Sequence, residues 1–308
     1  MNLLKEYFAA TFLSMLYMFS ALSCVAPTED VKVAAAVVEK SASDVIPAAE
    51  RIDLYLPQLQ GKKVGLVHNV PLIILDRPNP NAHYIDGPIM QEEFMSFVGM
   101  HPVPIVYGMT IGEYGQMING ELWLHEGMQC DLTVIPCKNY DHSTYYNLPI
   151  KPSPNLPNIQ SIFLYPSLCL FEGTHVSVGR GTDMQFQMYG HPDWKDAPSK
   201  ITIKSMAGAK YPKHENKSIG YKSLQSLTKG TLHKRNKLDL SYLVEMYQIL
   251  SSQGVPFILE NNNFFEKLAG TNQLRDQLKA GASAAEIRES WKSGIEEFKV
   301  TREKYLIY

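Results

Sequence analysis

The sequence predicts an α/β fold, with a parallel sheet early in the chain and a helical C-terminal third. Three observations carry this. Residues 62–67 (KKVGLV), 71–75 (PLIIL) and 131–136 (DLTVIP) are short apolar runs without polar alternation, as in strands covered on both faces. Thr110-Ile111-Gly112-Glu113 and Ser283-Ala284-Ala285-Glu286 are capping-box patterns that open helices. Ile287, Trp291, Ile295 and Phe298 recur at steps of four, four and three, which is one face of a helix.

At the N-terminus, residues 7–23 form an apolar stretch behind Lys5, ending in Ala21-Leu22-Ser23-Cys24. A basic start, an apolar core and small residues before a cysteine predict an export signal, with Cys24 as a lipid acceptor anchoring the chain to a membrane. Residues 25–50, rich in Ala, Val, Ser, Pro and Glu, read as a tether. The expected organisation is therefore a signal peptide over 1–24, a tether over 25–50, an α/β domain over 51–150 and a second α/β subdomain over 151–308. The boundary falls at the proline-rich run KPSPNLPN (151–158), which predicts a stiff extended loop.

The strand at 71–75 runs into Asp76-Arg77-Pro78-Asn79-Pro80-Asn81, and ligands of open α/β sheets sit beyond such strand ends. Only His68, Asn69 and Val70 separate the runs at 62–67 and 71–75, whereas adjacent parallel strands need a crossover of about a dozen residues or more. Either these runs are not neighbouring parallel strands or a crossover is missing. Thr110 opens a helix whose expected apolar face is Met117, Ile118 and Leu122. Further helices are expected over 239–252 and 272–280, closed by Gly254 and Gly281.

Composition narrows the chemistry. With 308 residues, 45% hydrophobic and a net charge of -2, the chain has material for a sizeable core and no electrostatic footprint for nucleic acid. Cys130 and Cys137 bracket a strand, about 23 Å apart if extended, too far for a disulfide. Neither HExxH nor CxxC occurs, so no metal site is expected. Glu172, in Phe171-Glu172-Gly173-Thr174, follows an apolar run, where surroundings of that kind favour acid–base work; a solvated turn residue is the other reading. Arg180 lies between Gly179 and Gly181, so backbone and guanidinium have access to a carboxylate ligand. Asp76 and Arg77 read equally as an ion pair in a turn, Glu113 as a helix cap, and His101 as a sugar ligand or a turn brace.

Taken in order, LDRPNP (75–80), DGP (86–88), SFVGMHPVP (96–104), GMTIGE (108–113), DLTVIPCKNY (131–140), PSPNLPN (152–158), LFEGTHVSVGRGTD (170–183) and SWKSGIEEFKVTREKYLIY (290–308) closely resemble the NamZ-type exo-β-N-acetylmuramidases. The resemblance runs from about residue 51 to the C-terminus. It implies a Rossmann-like domain and a C-terminal α/β subdomain with the site in a cleft between them. The implied reaction is hydrolysis of terminal β-1,4-linked N-acetylmuramic acid from the non-reducing end of peptidoglycan fragments, without nucleotide cofactor or metal. It further implies catalysis by Glu172, then Asp76, with Glu113 in support. Substrate contacts would come from Arg77, Asn79, His101 and Arg180, the arginines meeting the lactyl carboxylate. The chain departs from the pattern where Asn69 runs straight into Val70 and Pro71. The resemblance implies further strand–helix units there, with a Glu-His-Gly turn carrying a leading glutamate, and no Glu-His-Gly occurs in this chain. Impaired turnover is therefore expected. The rival readings are a non-catalytic muropeptide-binding remnant, a damaged reading frame and, lacking a glycine fingerprint, a dinucleotide-dependent oxidoreductase.

Metabolic labelling with a palmitate analogue is expected to mark the wild type and not Cys24→Ser. Equal labelling of both would exclude lipidation at Cys24 while leaving export open.

Overall fold

β1 (Leu72–Leu75) and β4 (Leu132–Ile135) pair in parallel, Leu72 opposite Leu132 and Leu75 opposite Ile135. The computed structural model describes residues 45–48, 51, 54, 71–260 and 263–308. The strand expected over 62–67, the junction at Asn69 and Val70, Cys24, the signal stretch and most of the tether lie outside the described residues. Between the two parallel strands the chain makes a short antiparallel pair, β2 (Asp86–Ile89) with β3 (Pro104–Val106), and then helix α1 (Ile111–Gly120).

The capping box expected at Thr110 is present. The Thr110 hydroxyl accepts from the Glu113 amide, and the Thr110 amide donates to the Glu113 carboxylate. Glycine lets α1 lie close to the sheet. A Cβ on Gly112 would stand 2.6 Å from Val134 and 2.7 Å from the Asp76 carboxyl carbon, and one on Gly115 2.6 Å from Ile74. Of the expected apolar face, Met117 is buried and Ile118 half-buried. Leu122 departs from it: the helix has ended, and Leu122 sits exposed with φ +58°.

The apolar run after the proline-rich segment folds as α2 (Ile159–Leu168), capped by Asn158 and buried along nearly its whole length. Pro166, inside this helix, has no N–H to offer the Ile162 carbonyl four residues back. The Asn81 side-chain amide donates to that carbonyl instead, at 3.1 Å. A 3-10 segment, Cys169–Gly173, carries the chain out of α2. Next comes a three-stranded antiparallel sheet in the order β5 (Met188–His191), β7 (Ser218–Ser223), β6 (Ser199–Thr202). Six helices complete the chain: α3 (Lys229–His233), α4 (Ser241–Ser252), α5 (Phe264–Ala269), α6 (Gln273–Lys279), α7 (Ala284–Ser290) and α8 (Lys292–Glu303). Among the described residues no helix is long and apolar enough to cross a membrane. The fold is α/β, with its largest core gathered around α2, the 3-10 segment, β5 and the C-terminal helices.

The helical face Ile287, Trp291, Ile295, Phe298 is buried as expected, but the helix breaks at Trp291. Trp291 Nε1 donates to Asp86 Oδ1 at 3.0 Å. The buried Asp86 carboxylate also accepts from the amides of Gly87 and Leu238 and from Arg288. It joins β2, the approach to α4 and the α7–α8 junction.

Two histidine pairs lie in this fold, His83 with His233 and His191 with His214, ring centroids 4.2 and 4.9 Å apart. Burial, reinforced by the neighbouring histidine, lowers His83 and His191 each to about 4.

Removing one member of a buried charge pair typically costs about 3–5 kcal/mol, so Asp86→Ala should lower the urea midpoint sharply. An unchanged midpoint would show that Asp86 is not a structural joint. Because the folded histidines bind protons less readily than unfolded ones, stability should be full above pH 6.5 and fall as the pH drops through about 4. Thermal melts of wild type and His83→Gln/His191→Gln from pH 7 to 4 test this. The double variant should show the shallower dependence, and identical slopes would refute it.

Candidate functional site

Asp76 leaves β1 directly beneath the first turn of α1. Its carboxylate is 1% exposed and accepts four hydrogen bonds: to Oδ1 from the Arg77 amide (2.9 Å) and the Gly112 amide (2.8 Å), and to Oδ2 from the hydroxyls of Thr110 and Tyr308 (2.7 Å each). A carboxylate meeting free amides at a helix start is favourably placed. Glu113, fully buried, is equally engaged. Its Oε1 accepts from the amides of Ile307 (2.8 Å) and Tyr308 (3.3 Å), its Oε2 from the Thr110 amide and His142 Nε2 (2.8 Å each). Burial by itself would raise Glu113, but the bonds from His142 and from the backbone of Ile307 and Thr110 outweigh it and hold the carboxyl below its ordinary value. A carboxylate has about four acceptor positions, and in both residues they are taken. The geometry thus gives Asp76 and Glu113 a structural task, tying the strand end, the helix start and the C-terminal residues together.

Asn79 belongs to the same assembly. Its side-chain amide donates to the Met109 carbonyl (2.8 Å) and its oxygen accepts from the Asn81 amide, an Asx turn that shapes the loop. Arg77 is exposed, and its charge reaches Tyr107. His101 stands apart, sharing a 2.7 Å hydrogen bond with the Tyr114 hydroxyl and stacking on Trp123 at 5.3 Å. It borders an apolar cavity of about 440 Å³ with Leu72, Phe97, Met100 and Ile111.

Glu172 and Arg180 form a second centre. Glu172 ends the 3-10 segment with its side chain 23% exposed, and its Oε1 accepts from Arg180 Nη2 at 2.5 Å. Arg180 is presented by Gly179 (φ +83°) and Gly181 (φ +85°), a backbone shape that needs glycine, and lies over the Phe186 ring. Its Nε is buried without a hydrogen-bond partner, while the side chain as a whole stays partly exposed. Beside the pair is a small cavity of about 30 Å³, lined by Glu172, Val176, Ser177, Val178, Arg180 and Lys213.

Lys213 escaped sequence reasoning. Its ammonium donates to the carbonyls of Phe171 (2.8 Å), Glu172 (3.0 Å) and Thr174 (2.6 Å). It lies 41 residues from Glu172 in a segment with no motif, so nothing local marked it. His142 likewise lies outside every motif, whereas Tyr308 closes the motif at 290–308 without anything local to show its bond to Asp76. Among the described residues, no group of three or more His, Cys, Asp or Glu is disposed to hold a metal ion, and Cys130, Cys137 and Cys169 are free thiols.

Residues 64–160 match the family model "Exo-beta-N-acetylmuramidase NamZ, N-terminal", and residues 163–308 match its C-terminal counterpart. The chain is 33% identical over 259 residues to the peptidoglycan beta-N-acetylmuramidase NamZ of Bacillus subtilis (strain 168), an alignment covering 78% of this chain and 60% of that protein. A crystal structure of a DUF1343 family protein from Bacteroides fragilis NCTC 9343 is similar at 49% identity and TM-score 0.73, over 77% of this chain and 65% of that one. A second DUF1343 family protein of that strain, at 22% identity and TM-score 0.60 over 77% and 66%, shares the fold. The chain thus spans about two thirds or less of the length of each of these relatives. With both family models matched in sequence order along most of its length, the chain belongs to the NamZ exo-β-N-acetylmuramidase family.

Proposed function

We propose that this chain recognises terminal β-1,4-linked N-acetylmuramic acid at the non-reducing end of peptidoglycan fragments, and that Glu172 with Arg180 is where it does so. The observation that carries the reading is the contrast among the three candidate carboxylates. Asp76 and Glu113 are buried with every acceptor position filled, whereas Glu172 is partly open and faces a partly exposed guanidinium. In this reading Arg180 bridges two acids, holding Glu172 with Nη2 and turning the exposed part of its guanidinium to the lactyl carboxylate of the sugar. Arg77, exposed at the end of β1, is a second guanidinium for the same anionic substrate. His101 on its cavity rim is assigned to contacts further along the fragment.

Glycoside hydrolysis ordinarily needs two carboxyl groups, one to protonate the leaving oxygen and one to attack or to activate water. Glu172, a partly exposed carboxylate oriented by the Arg180 guanidinium, is placed for the second role. Neither Asp76 nor Glu113 has a position free for the first. That favours a second reading, muropeptide binding with little turnover. Loss of acid–base assistance alone lowers a rate by about 10²–10⁴-fold. An envelope location with a lipid on Cys24 belongs to the same proposal and rests on the apolar stretch before that residue.

Calorimetry with N-acetylmuramic acid and N-acetylglucosamine, beside release from a chromogenic muramide, tests the proposal. Charge-assisted hydrogen bonds contribute about 1.5–3 kcal/mol, so Arg180→Ala should weaken N-acetylmuramic acid binding about tenfold or more and leave N-acetylglucosamine binding nearly unchanged. Residual turnover should disappear in Glu172→Gln and rise in a chain carrying a family-type insert after Asn69. Equal losses for both sugars would remove Arg180 from acid recognition. Equal turnover with and without the insert would show that this chain already holds a complete catalytic pair.

A further inference from the structure

The strap that carries Glu172, residues 171–176, is gripped through its backbone by two consecutive side chains from the connection between β6 and β7. Lys213 Nζ donates to the carbonyls of Phe171, Glu172 and Thr174, and His214 Nε2 lies 2.6 Å from the carbonyl of His175. With a longer contact from Lys213 Nζ to the Val176 carbonyl at 3.5 Å, five carbonyls in a stretch of six residues are therefore held by one dipeptide. The first of them lie at the C-terminal end of a 3-10 segment, where the Phe171 carbonyl also accepts from the Thr174 amide and hydroxyl. The connection is bent to make this grip. His214 has φ +61° and Asn216 φ +60°, left-handed conformations that L residues adopt only where the surroundings impose them. It is also tied to the Arg180 loop, since the Lys204 amide donates to the Gly181 carbonyl at 3.0 Å.

We infer that Lys213, assisted by His214, is a positioning residue that sets the place of the Glu172 carboxylate against Arg180 by clamping the strap backbone. An ammonium has three N–H donors, and all three are engaged on the strap, so Lys213 has none left for a substrate. The inference rests on the assignment of Glu172 to the site, but the clamp itself is a property of the unliganded chain. The clamp also titrates. The groups facing Lys213 are Glu172, Arg180 and His175, and His214 meets His191 and Lys217 on its other side. Burial lowers Lys213 to about 8, partly offset by the attraction of Glu172 and furthered by the repulsion of Arg180. Loss of its proton to solvent leaves two N–H donors for four carbonyls and turns a lone pair toward the strap. The grip is thus full at neutral pH and weakened as the pH rises through about 8.

Hydrogen–deuterium exchange on the full chain without sugar tests this at the amides of Thr174 and His175. These donate to the carbonyls of Phe171 and Phe257. After correction for intrinsic exchange rates, wild-type protection there should fall about tenfold between pH 7 and 9, following the charged fraction of a group titrating near 8. Lys213→Arg, which stays charged, should keep its protection at pH 9, and Lys213→Met should show the weakened level at both pH values. Amides of Leu243 and Met246 in α4 report whether a variant is folded. If Lys213→Met unfolds, the comparison of wild type with Lys213→Arg at pH 9 still decides. Equal protection of wild type and a folded Lys213→Met at pH 7 would overturn the inference, and wild-type protection that does not change with pH would overturn its titration. Because the measurement contains no substrate, failure of the sugar-binding proposal would not produce either result.

Discussion

The constraint on which the N-terminal half depends is the burial of two carboxylates, Asp76 and Glu113, under the first turn of α1. A buried charge without compensation is expensive, and these are tolerated because each accepts four hydrogen bonds. The donors come from four parts of the chain: the Arg77 amide just past β1, the start of α1, His142 beyond β4 and the C-terminal residues Ile307 and Tyr308. Strand, helix and tail thus meet at one polar joint. The close packing at Gly112 is part of the same arrangement, since any Cβ there would strike the Asp76 carboxyl. What resembles a row of candidate acids in the sequence is in large part the device that closes this portion of the fold.

Glu172 follows the opposite logic. It is balanced by a single guanidinium, it retains access to solvent, and its position depends on backbone contacts made by Lys213 and His214. Arg180 is likewise partly exposed. Networks with every lone pair satisfied are rigid, whereas a pair open to solvent has something to offer a ligand. This difference in satisfaction, more than residue type, separates the structural carboxylates from the one assigned to substrate.

Satisfaction of backbone groups explains several other features. Pro166 costs α2 one hydrogen bond, and Asn81 supplies the missing donor to Ile162, fastening the loop after β1 to the second half of the chain. Asp86 does the same for a different set of elements, taking the Leu238 amide and the Trp291 indole. In each case a polar side chain far away in sequence completes a local deficit.

The sequence by itself determined the class of the fold and most of its local elements. The apolar runs at 71–75 and 131–136 became the parallel pair, and the boxes at Thr110 and Ser283 opened helices where expected, because periodicity and capping act between residues three or four apart. It also held the ordered motifs that mark the family. Tertiary structure alone decided which acids are available. Glu113 is closed off by an amide 194 residues away and Asp76 by a hydroxyl 232 residues away, while Glu172 is held by a lysine 41 residues on. It also ended α1 before Leu122 and broke the last helical face at Trp291, whose indole is drawn to Asp86. The physical reason is one of range. Local propensity is written within a turn of helix, but whether a buried polar group is satisfied depends on partners that only the folded chain brings within about 3 Å.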